Sequence, residues 1–419
     1  MHFALADEFV TGRGNAETPV SHHPNLPRLL RFSKPKLGRV YQPFADGRYT
    51  LPSRAMTPLV LHEVHAALDA RFTEVNGHEV AADYGDWLAE HAALRATAGV
   101  GDLSFRGRIC LTGEDRVRLL NGQVTNDVKA LAPGTGCHAA FCSPKGRLVS
   151  DAFIYALPQE LLLDFEPGLT EALKQRLEHH IVAEDVQVVE VAPYYGLFTV
   201  QGPRAAEVVS KLGLFPELPA KPLAFASASD ATLGELYLMN HARTVSAGFD
   251  LFVPTDALAA VLDKLVAAAR EVGGRLVGFT ALEVARFEAG LPRFGIEMDE
   301  THLPPEAGLD RDAISYTKGC YTGQETIARI RTYGQVTKAL RGLRLADDLA
   351  ALPIKGDKII KDGRDVGTIV SALKSPALGQ NLALAYIRKE CNTPGTALTL
   401  RTATGESPVA IVKLPFGTE

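Results

Sequence analysis

Leu59, Val60, Val64 and Leu68 recur at helical spacing, and Trp87, Leu88, Ala92 and Leu94 repeat the pattern. The period then shortens. Gly107–Leu111, 136–142, Arg147–Leu157 and Leu161–Phe165 alternate as strands, with Ser143-Pro-Lys-Gly146 as the turn between the second and third. Thr112 is expected to open a short helix with Val117, Leu119 and Leu120 on its apolar side, and Leu169, Leu173, Leu177 and Ile181 form a further helical stripe. Val186–Val191 and Gly196–Val200 read as strands, and Pro203 suits the first turn of another helix. Thr244–Val253 reads as a strand and Asp256–Val272 as a long amphipathic helix stopped by Gly273-Gly274. Thr280 and Glu283 have the spacing of a capping box that opens a helix running to about Gly290.

After Gln335 helical stripes disappear. Ala339–Leu345, Lys358–Ile360, Asp365–Leu373, Asn381–Ile387, Ala397–Thr402 and Pro408–Leu414 are β-type runs punctuated by Gly and Pro, which predicts a small barrel over 336–419. Residues 56–335 form the larger unit. Strands and helices alternate there without regular β-α-β spacing, so the fold class is α+β. Residues 1–55 carry scattered Pro, Arg and Lys without periodicity and read as a disordered or loosely attached extension. Met56 directly precedes the first helix and is a second candidate start of translation; a native mass that begins at Met1 excludes it.

Composition narrows the class. The chain has 419 residues, 46% hydrophobic and 22% charged, as in ordinary globular proteins. A net charge of -5 argues against a nucleic-acid surface. No apolar run reaches the roughly eighteen residues of a membrane span, and the start lacks an apolar secretory core, so a cytoplasmic location is expected. The five cysteines are scattered, with no CxxC, which fits a reducing compartment. Cys137 and Cys142 flank His138-Ala-Ala-Phe141 at a spacing that does not suit zinc, and no metal site is expected.

One segment stands apart: Lys318-Gly-Cys-Tyr-Thr-Gly-Gln-Glu325. Thr322 and Glu325 have capping-box spacing, and Thr326–Ile330 can continue as a helix. Cys320 would then lie near free backbone N–H groups and the positive helix end, with Lys318 close by, all of which favour thiolate. The alternative is a small buried hydrophobe in turn chemistry.

The segment resembles the Lys-Gly-Cys-[Phe/Tyr]-x-Gly-Gln-Glu signature of the folate-binding YgfZ family, iron–sulfur cluster assembly and repair factors that branch from the glycine cleavage T protein (aminomethyltransferase) superfamily. Further likeness runs from about Arg71 to Phe416: Asp102-Leu-Ser-x-Arg-Gly-Arg108, Val124-Thr-Asn-Asp127, Val200-Gln-Gly-Pro-Arg-Ala205, Arg286-Phe-Glu-Ala-Gly-Leu-Pro-Arg-Phe-Gly295, Leu303-Pro-x-Glu-Ala-Gly308 and Gly379–Tyr386. The resemblance implies a large domain with a central folate channel, a C-terminal barrel, tetrahydrofolate or a one-carbon derivative as cofactor, and iron–sulfur client or assembly proteins as partners.

It also implies site residues. Cys320 and Lys318 would carry the thiolate chemistry, with Tyr321, Gln324 and Glu325 beside the folate. Asp151 shares a strand face with Val149, Phe153 and Tyr155, where a carboxylate needs a partner. It resembles the T-protein aspartate near the reactive end of the folate; the alternative is a salt bridge to Arg106 or Arg147. The resemblance implies that Arg286 faces an anion such as the folate glutamate tail; the alternative is a pair with Glu283 at i,i+3. Asn126 either lines the channel or, as preferred, shapes a turn with Asp127. One departure stands out. Aminomethyltransferases carry a Tyr-Thr-Gly-Glu-Asp-Gly-type segment whose glutamate recognises the pterin, whereas this chain reads Thr244-Val-Ser-Ala-Gly-Phe-Asp250. The expected function is a tetrahydrofolate-binding factor for iron–sulfur cluster assembly or repair; the alternative is a folate-dependent aminomethyltransferase or methyltransferase acting through Asp151.

Overall fold

Alternating runs in the first two thirds of the chain build two mixed-composition sheets with a channel beside them. The computed structural model describes residues 56–418 apart from 335, so the expectation for 1–55 lies outside the described residues. Helix α1 (His62–Ala67) leads to the hairpin β1 (Arg71–Val75) and β2 (His78–Asp83), then α2 (Trp87–Ala96), β3 (Gly99–Asp102) and β4 (Gly107–Thr112). Next come α3 (Arg116–Gln123), β5 (Thr135–Cys142), β6 (Leu148–Ala156), β7 (Leu161–Phe165), α4 (Thr170–His179), β8 (Gln187–Glu190), β9 (Tyr195–Gln201) and α5 (Ala205–Ser210). The chain continues through β10 (Phe225–Asp230), β11 (Gly234–Asn240), β12 (Gly248–Pro254), α6 (Leu258–Glu271), β13 (Arg275–Leu276), α7 (Phe279–Glu288) and α8 (Gln324–Tyr333).

One sheet has the order β5-β6-β7-β4-β8 and is antiparallel throughout. The other has the order β10-β11-β12-β9-β3-β13, with β13 parallel to β3. Helix α6 buries Leu258, Val261, Leu262, Leu265 and Ala269 against the second sheet, which accounts for its amphipathic spacing. Leu119 and Leu120 of α3 and Leu173 and Leu177 of α4 cover the first. The two sheets meet through buried groups: Tyr155 of β6 hydrogen-bonds His241, and Arg243 reaches Asp164 of β7.

All six predicted C-terminal strands form. β14 (Lys338–Leu345), β15 (Lys358–Lys361), β16 (Arg364–Lys374), β17 (Asn381–Arg388), β18 (Ala397–Thr402) and β19 (Gly405–Val412) close a barrel in the order β14-β17-β16-β15-β18-β19. Its inward residues, among them Leu343, Ile359, Ile369, Ala385 and Leu400, are fully buried. A second apolar layer, with Phe287 stacked on Phe416 and with Leu340, Leu382 and Tyr386, joins the barrel to α7. Glu288 lies beneath it and accepts from Ser375 of the barrel while pairing with His91 and Arg95 of α2.

Neither expected capping box forms, because each helix starts behind a glycine and not at the threonine. Helix α7 starts at Phe279 behind Gly278, so Thr280 is already inside it. The Gly278 N–H donates to the buried Glu90 carboxylate of α2, and a Cβ at 278 would lie 2.3 Å from the Ala82 carbonyl oxygen. A tertiary carboxylate has taken the place of the local cap. Helix α8 starts at Gln324 behind Gly323, so Thr322 is not its cap. Gly323 has φ 88°, and a Cβ there would lie 2.5 Å from the Ser143 carbonyl oxygen. Glycine lets the cysteine segment press against the β5–β6 turn.

Candidate functional site: a paired-charge channel and an exposed cysteine

A cavity of about 490 Å³ opens between the sheets, α7 and the barrel. Phe105, Phe153, Phe279, Leu282 and Leu340 give it flat apolar walls. Asp151 lies on it, as strand alternation predicts. Its partner is His138, with Nε2 to Oδ2 at 2.8 Å, rather than Arg106 or Arg147. Arg106 instead binds Asp164 and Glu166, and Arg147 donates to the Thr301 carbonyl. His138 stacks on Phe153 at 4.6 Å, and the Phe153 ring also meets His241 at 4.1 Å. Burial favours the neutral imidazole of His138, but its bonds to Asp151 and Asp312 outweigh that and raise it to about 9.

The guanidiniums on the channel are mostly spent on the protein's own acids. Arg286 binds Glu283 and Glu297 and donates to the Leu291 carbonyl, so the i,i+3 pair with Glu283 forms and the expected contact with a ligand tail has no free donor face. Arg293 binds Glu283 and Glu166. Arg243 bridges Asp164 and Asp250. Arg311 differs: it lines the same cavity, is exposed, and has no hydrogen-bond or ion-pair partner among the described residues. We therefore expect Arg311→Ala to weaken a carboxylate-bearing ligand by about tenfold with an unchanged melting temperature. Arg286→Ala should instead lower the melting temperature by several degrees, because it strands buried Glu297. Titration calorimetry and thermal melts separate the two. Equal effects on affinity would sink the assignment.

Asp164, His241 and Asp250 bring ligand-type atoms within 4.8 Å of one another, a spacing that could hold a cation. The cation already there is Arg243, which donates to both carboxylates. Burial opposes ionisation of Asp250, yet Arg243 and His241 hold it well below the usual carboxylate range.

Cys320 is the exposed member of the five cysteines; Cys110, Cys142 and Cys391 are buried and Cys137 is partly so. Burial pushes Cys137 and Cys142 up to about 12, which keeps them thiols. Lys318 is not a loose cation beside Cys320. It is 9% exposed, and its ammonium donates to the carbonyls of Asn121, Val124 and Asn126 at 2.6–2.7 Å. Burial lowers it to about 8, so it stays charged at neutral pH. Ser315 and Thr322 N–H groups bond Thr125 and Gly122 carbonyls, stitching 315–322 along the same loop. Asn126 lies in that loop, and its Oδ1 accepts from the Asp127 N–H. Its amide donates to the His138 and Asp312 carbonyls, one layer behind the channel wall. Tyr321 packs inward with Ile327 and Met298 and lies under the Lys318 ammonium at 5.1 Å. Gln324 begins α8, and Glu325 pairs with Arg329 on the same helix. Tyr321, Gln324 and Glu325 are not among the residues that line the cavity; their described contacts lie within the cysteine segment and α8.

Residues 61–318 match the GCVT N-terminal domain, and residues 338–417 match the glycine cleavage T-protein C-terminal barrel domain. The chain belongs to the glycine cleavage T-protein family. An aminomethyltransferase of Bacillus subtilis (strain 168) is 27% identical over 358 residues, 85% of this chain and 98% of the relative. One of Saccharopolyspora erythraea is 30% identical over 369 residues, 87% and 99% of the two chains. The crystal structure of glycine cleavage system aminomethyltransferase T from Bartonella henselae superposes with a TM-score of 0.78 at 22% identity, covering 86% of this chain and 98% of that one, which shows a shared T-protein fold. The channel of this family member is thus enclosed by its two matched domains, with Leu340 and Leu414 contributed from the barrel region. No helix among the described residues is long and apolar enough to cross a membrane.

Proposed function

We propose that this T-protein family member binds tetrahydrofolate and serves the assembly or repair of iron–sulfur clusters in client enzymes through Cys320. Aminomethyltransferases of the family bind tetrahydrofolate. The cavity suits that molecule: apolar aromatic walls for its rings, an Asp151 oxygen for a ring N–H, and the unpaired Arg311 for its carboxylate tail. Bound folate would supply a one-carbon carrier, and the chain's own groups would hold its rings and exclude water.

The observation that carries the reading is the setting of Cys320. It is exposed on a segment that Lys318 and backbone bonds tie to the loop behind the channel. A soft thiolate suits iron and sulfur. Clusters take several protein thiolates, so one cysteine acts by transient contact or by sharing ligands with a client or assembly protein.

A second reading, a folate-dependent aminomethyltransferase, is favoured by the relatives' names and by Asp151 on the channel. One feature weighs against it: the stretch Thr244-Val-Ser-Ala-Gly-Phe-Asp250 lacks the pterin-recognising acid of the aminomethyltransferase segment. Asp250 cannot stand in, because Arg243 and His241 hold it and it is 1% exposed.

The deciding experiment complements deletion cells with wild type or Cys320→Ala at equal protein level and measures [4Fe–4S] enzyme activity. Severalfold lower activity with the variant is expected. Full activity with Cys320→Ala, together with turnover of an aminomethyl donor by the purified protein and tetrahydrofolate, would establish the transferase instead.

A further inference from the structure

Strand β5 sets His138 directly opposite Phe153 of β6, and therefore diagonal to Asp151 on the same sheet face. The His138 side chain is 10% exposed. Nε2 lies 2.8 Å from an Asp151 oxygen, and Nδ1 lies 3.7 Å from an Asp312 oxygen. A neutral imidazole has one N–H and one lone pair, so either tautomer would aim a lone pair at a carboxylate. The doubly protonated ring alone gives both acids a donor. Of the Asp151 oxygens, Oδ1 has no hydrogen-bond partner among the described residues, and the side chain lines the cavity.

We propose that His138 is a positioning residue for the channel ligand: as an imidazolium it fixes an ionised Asp151, aims its second oxygen into the cavity, and selects a neutral N–H donor there. The inference rests on the folate reading above and adds the chemistry of one end of the site. A lone carboxylate would attract a protonated amine best. An aspartate already neutralised by imidazolium gains little from a second cation, yet still accepts a hydrogen bond from a neutral donor such as the ring amide of a pterin. Phe153 separates His138 from the Arg243 guanidinium, since its ring is stacked on His138 on one side and meets His241 and Arg243 on the other; burial and Arg243 hold His241 below the ordinary imidazole value. Beyond Asp312 stands Arg311, and behind β5 lie Lys318 and Asp127. Asp151 and Asp312 are the groups that face the ring nitrogens directly.

The test combines a histidine titration with binding of 5-formyltetrahydrofolate, an oxidation-resistant folate, to the full chain between pH 6 and 10. The His138 Cε1–H resonance, assigned by its absence in His138→Gln, should titrate near 9, and Asp312→Asn should lower that midpoint. Wild-type affinity should be flat up to pH 8 and fall above 9. His138→Gln should bind about tenfold more weakly at pH 7 and lack the high-pH fall. A merely structural histidine would lower affinity without altering the pH profile. A wild-type midpoint near the ordinary imidazole value, or an unchanged pH profile in His138→Gln, overturns the positioning role alone. A His138 midpoint near 9 with no folate binding at any pH overturns the folate reading, and the positioning role with it.

Discussion

Asp164→Asn should cost about 3–5 kcal/mol of unfolding free energy, enough to leave much of the protein unfolded at 37 °C if its stability is ordinary. Asp164 is 1% exposed and accepts from Arg106 Nε and Arg243 Nη2, both at 2.7 Å. Burial alone would raise its carboxyl, but the two guanidiniums outweigh that and hold it below the usual carboxylate range. The amide keeps the volume and removes the charge. Its NH2 group must then face a guanidinium, and Arg243 keeps only Asp250 as a counter-ion. Arg106 and Arg243 line the channel, so the damage should also weaken ligand binding in whatever protein remains folded. Denaturant titration checks the size. Asp115→Asn, which removes an exposed pair with Arg118, is the control and should stay within about 0.5 kcal/mol of wild type. A similar small change for Asp164→Asn would show that this charge cluster contributes nothing net.

The barrel was legible because its strands are short β-type runs broken up by Gly and Pro, with no helical stripe among them. The hairpin of β10 and β11 was not. Phe225-Ala-Ser-Ala-Ser-Asp230 lies at a sheet edge, half-exposed, and small residues there give no contrast between faces. At the site, Asp151 could be found from sequence because a carboxylate on an apolar strand face breaks the pattern. Its partner could not, although His138 lay in a strand that had been recognised. Cys142 pairs with Leu148, and carrying that register on would set His138 opposite Ala152, on the face away from Asp151. A bulge between Phe141 and Cys142 shifts the pairing by one residue, so that His138 faces Phe153. The extra residue is Val149 of β6, between the partners of Phe141 and Cys142; it exchanges the faces that pair, and nothing in Leu148-Val149-Ser150 announces it. Arg286 and Arg311 show the same limit. The sequence offers Arg286 a partner at i,i+3 in Glu283, but the second acid, Glu297, comes to it only through the fold, and so does the lack of such a partner at Arg311 among the described residues.

Proximity in sequence puts Lys318 beside Cys320, but the direction of its side chain is not written in the sequence. An ammonium has three hydrogens, and three carbonyls accept them here. Lys318→Met keeps the length and apolar stem but leaves the carbonyls of Asn121, Val124 and Asn126 without that donor. We expect a loss of about 3 kcal/mol, since buried acceptors stripped of a charged partner recover little of their hydration. The loss should be concentrated locally. Backbone amides of Ser315 and Thr322, which bond the same loop, should exchange with solvent markedly faster, while amides in the barrel strands keep wild-type protection. Cys320 is still present in this variant, so under the proposed cluster role the [4Fe–4S] enzyme activity of complemented cells separates two roles for the segment. If the thiol alone suffices, cells with Lys318→Met retain activity in proportion to folded protein. If Cys320 must be held against the channel loop, activity falls further than protein level does. Unchanged exchange at Ser315 and Thr322 would show that Lys318 does not anchor the segment, and that the backbone bonds and the packing of Tyr321 and Ile327 hold Cys320 in place by themselves.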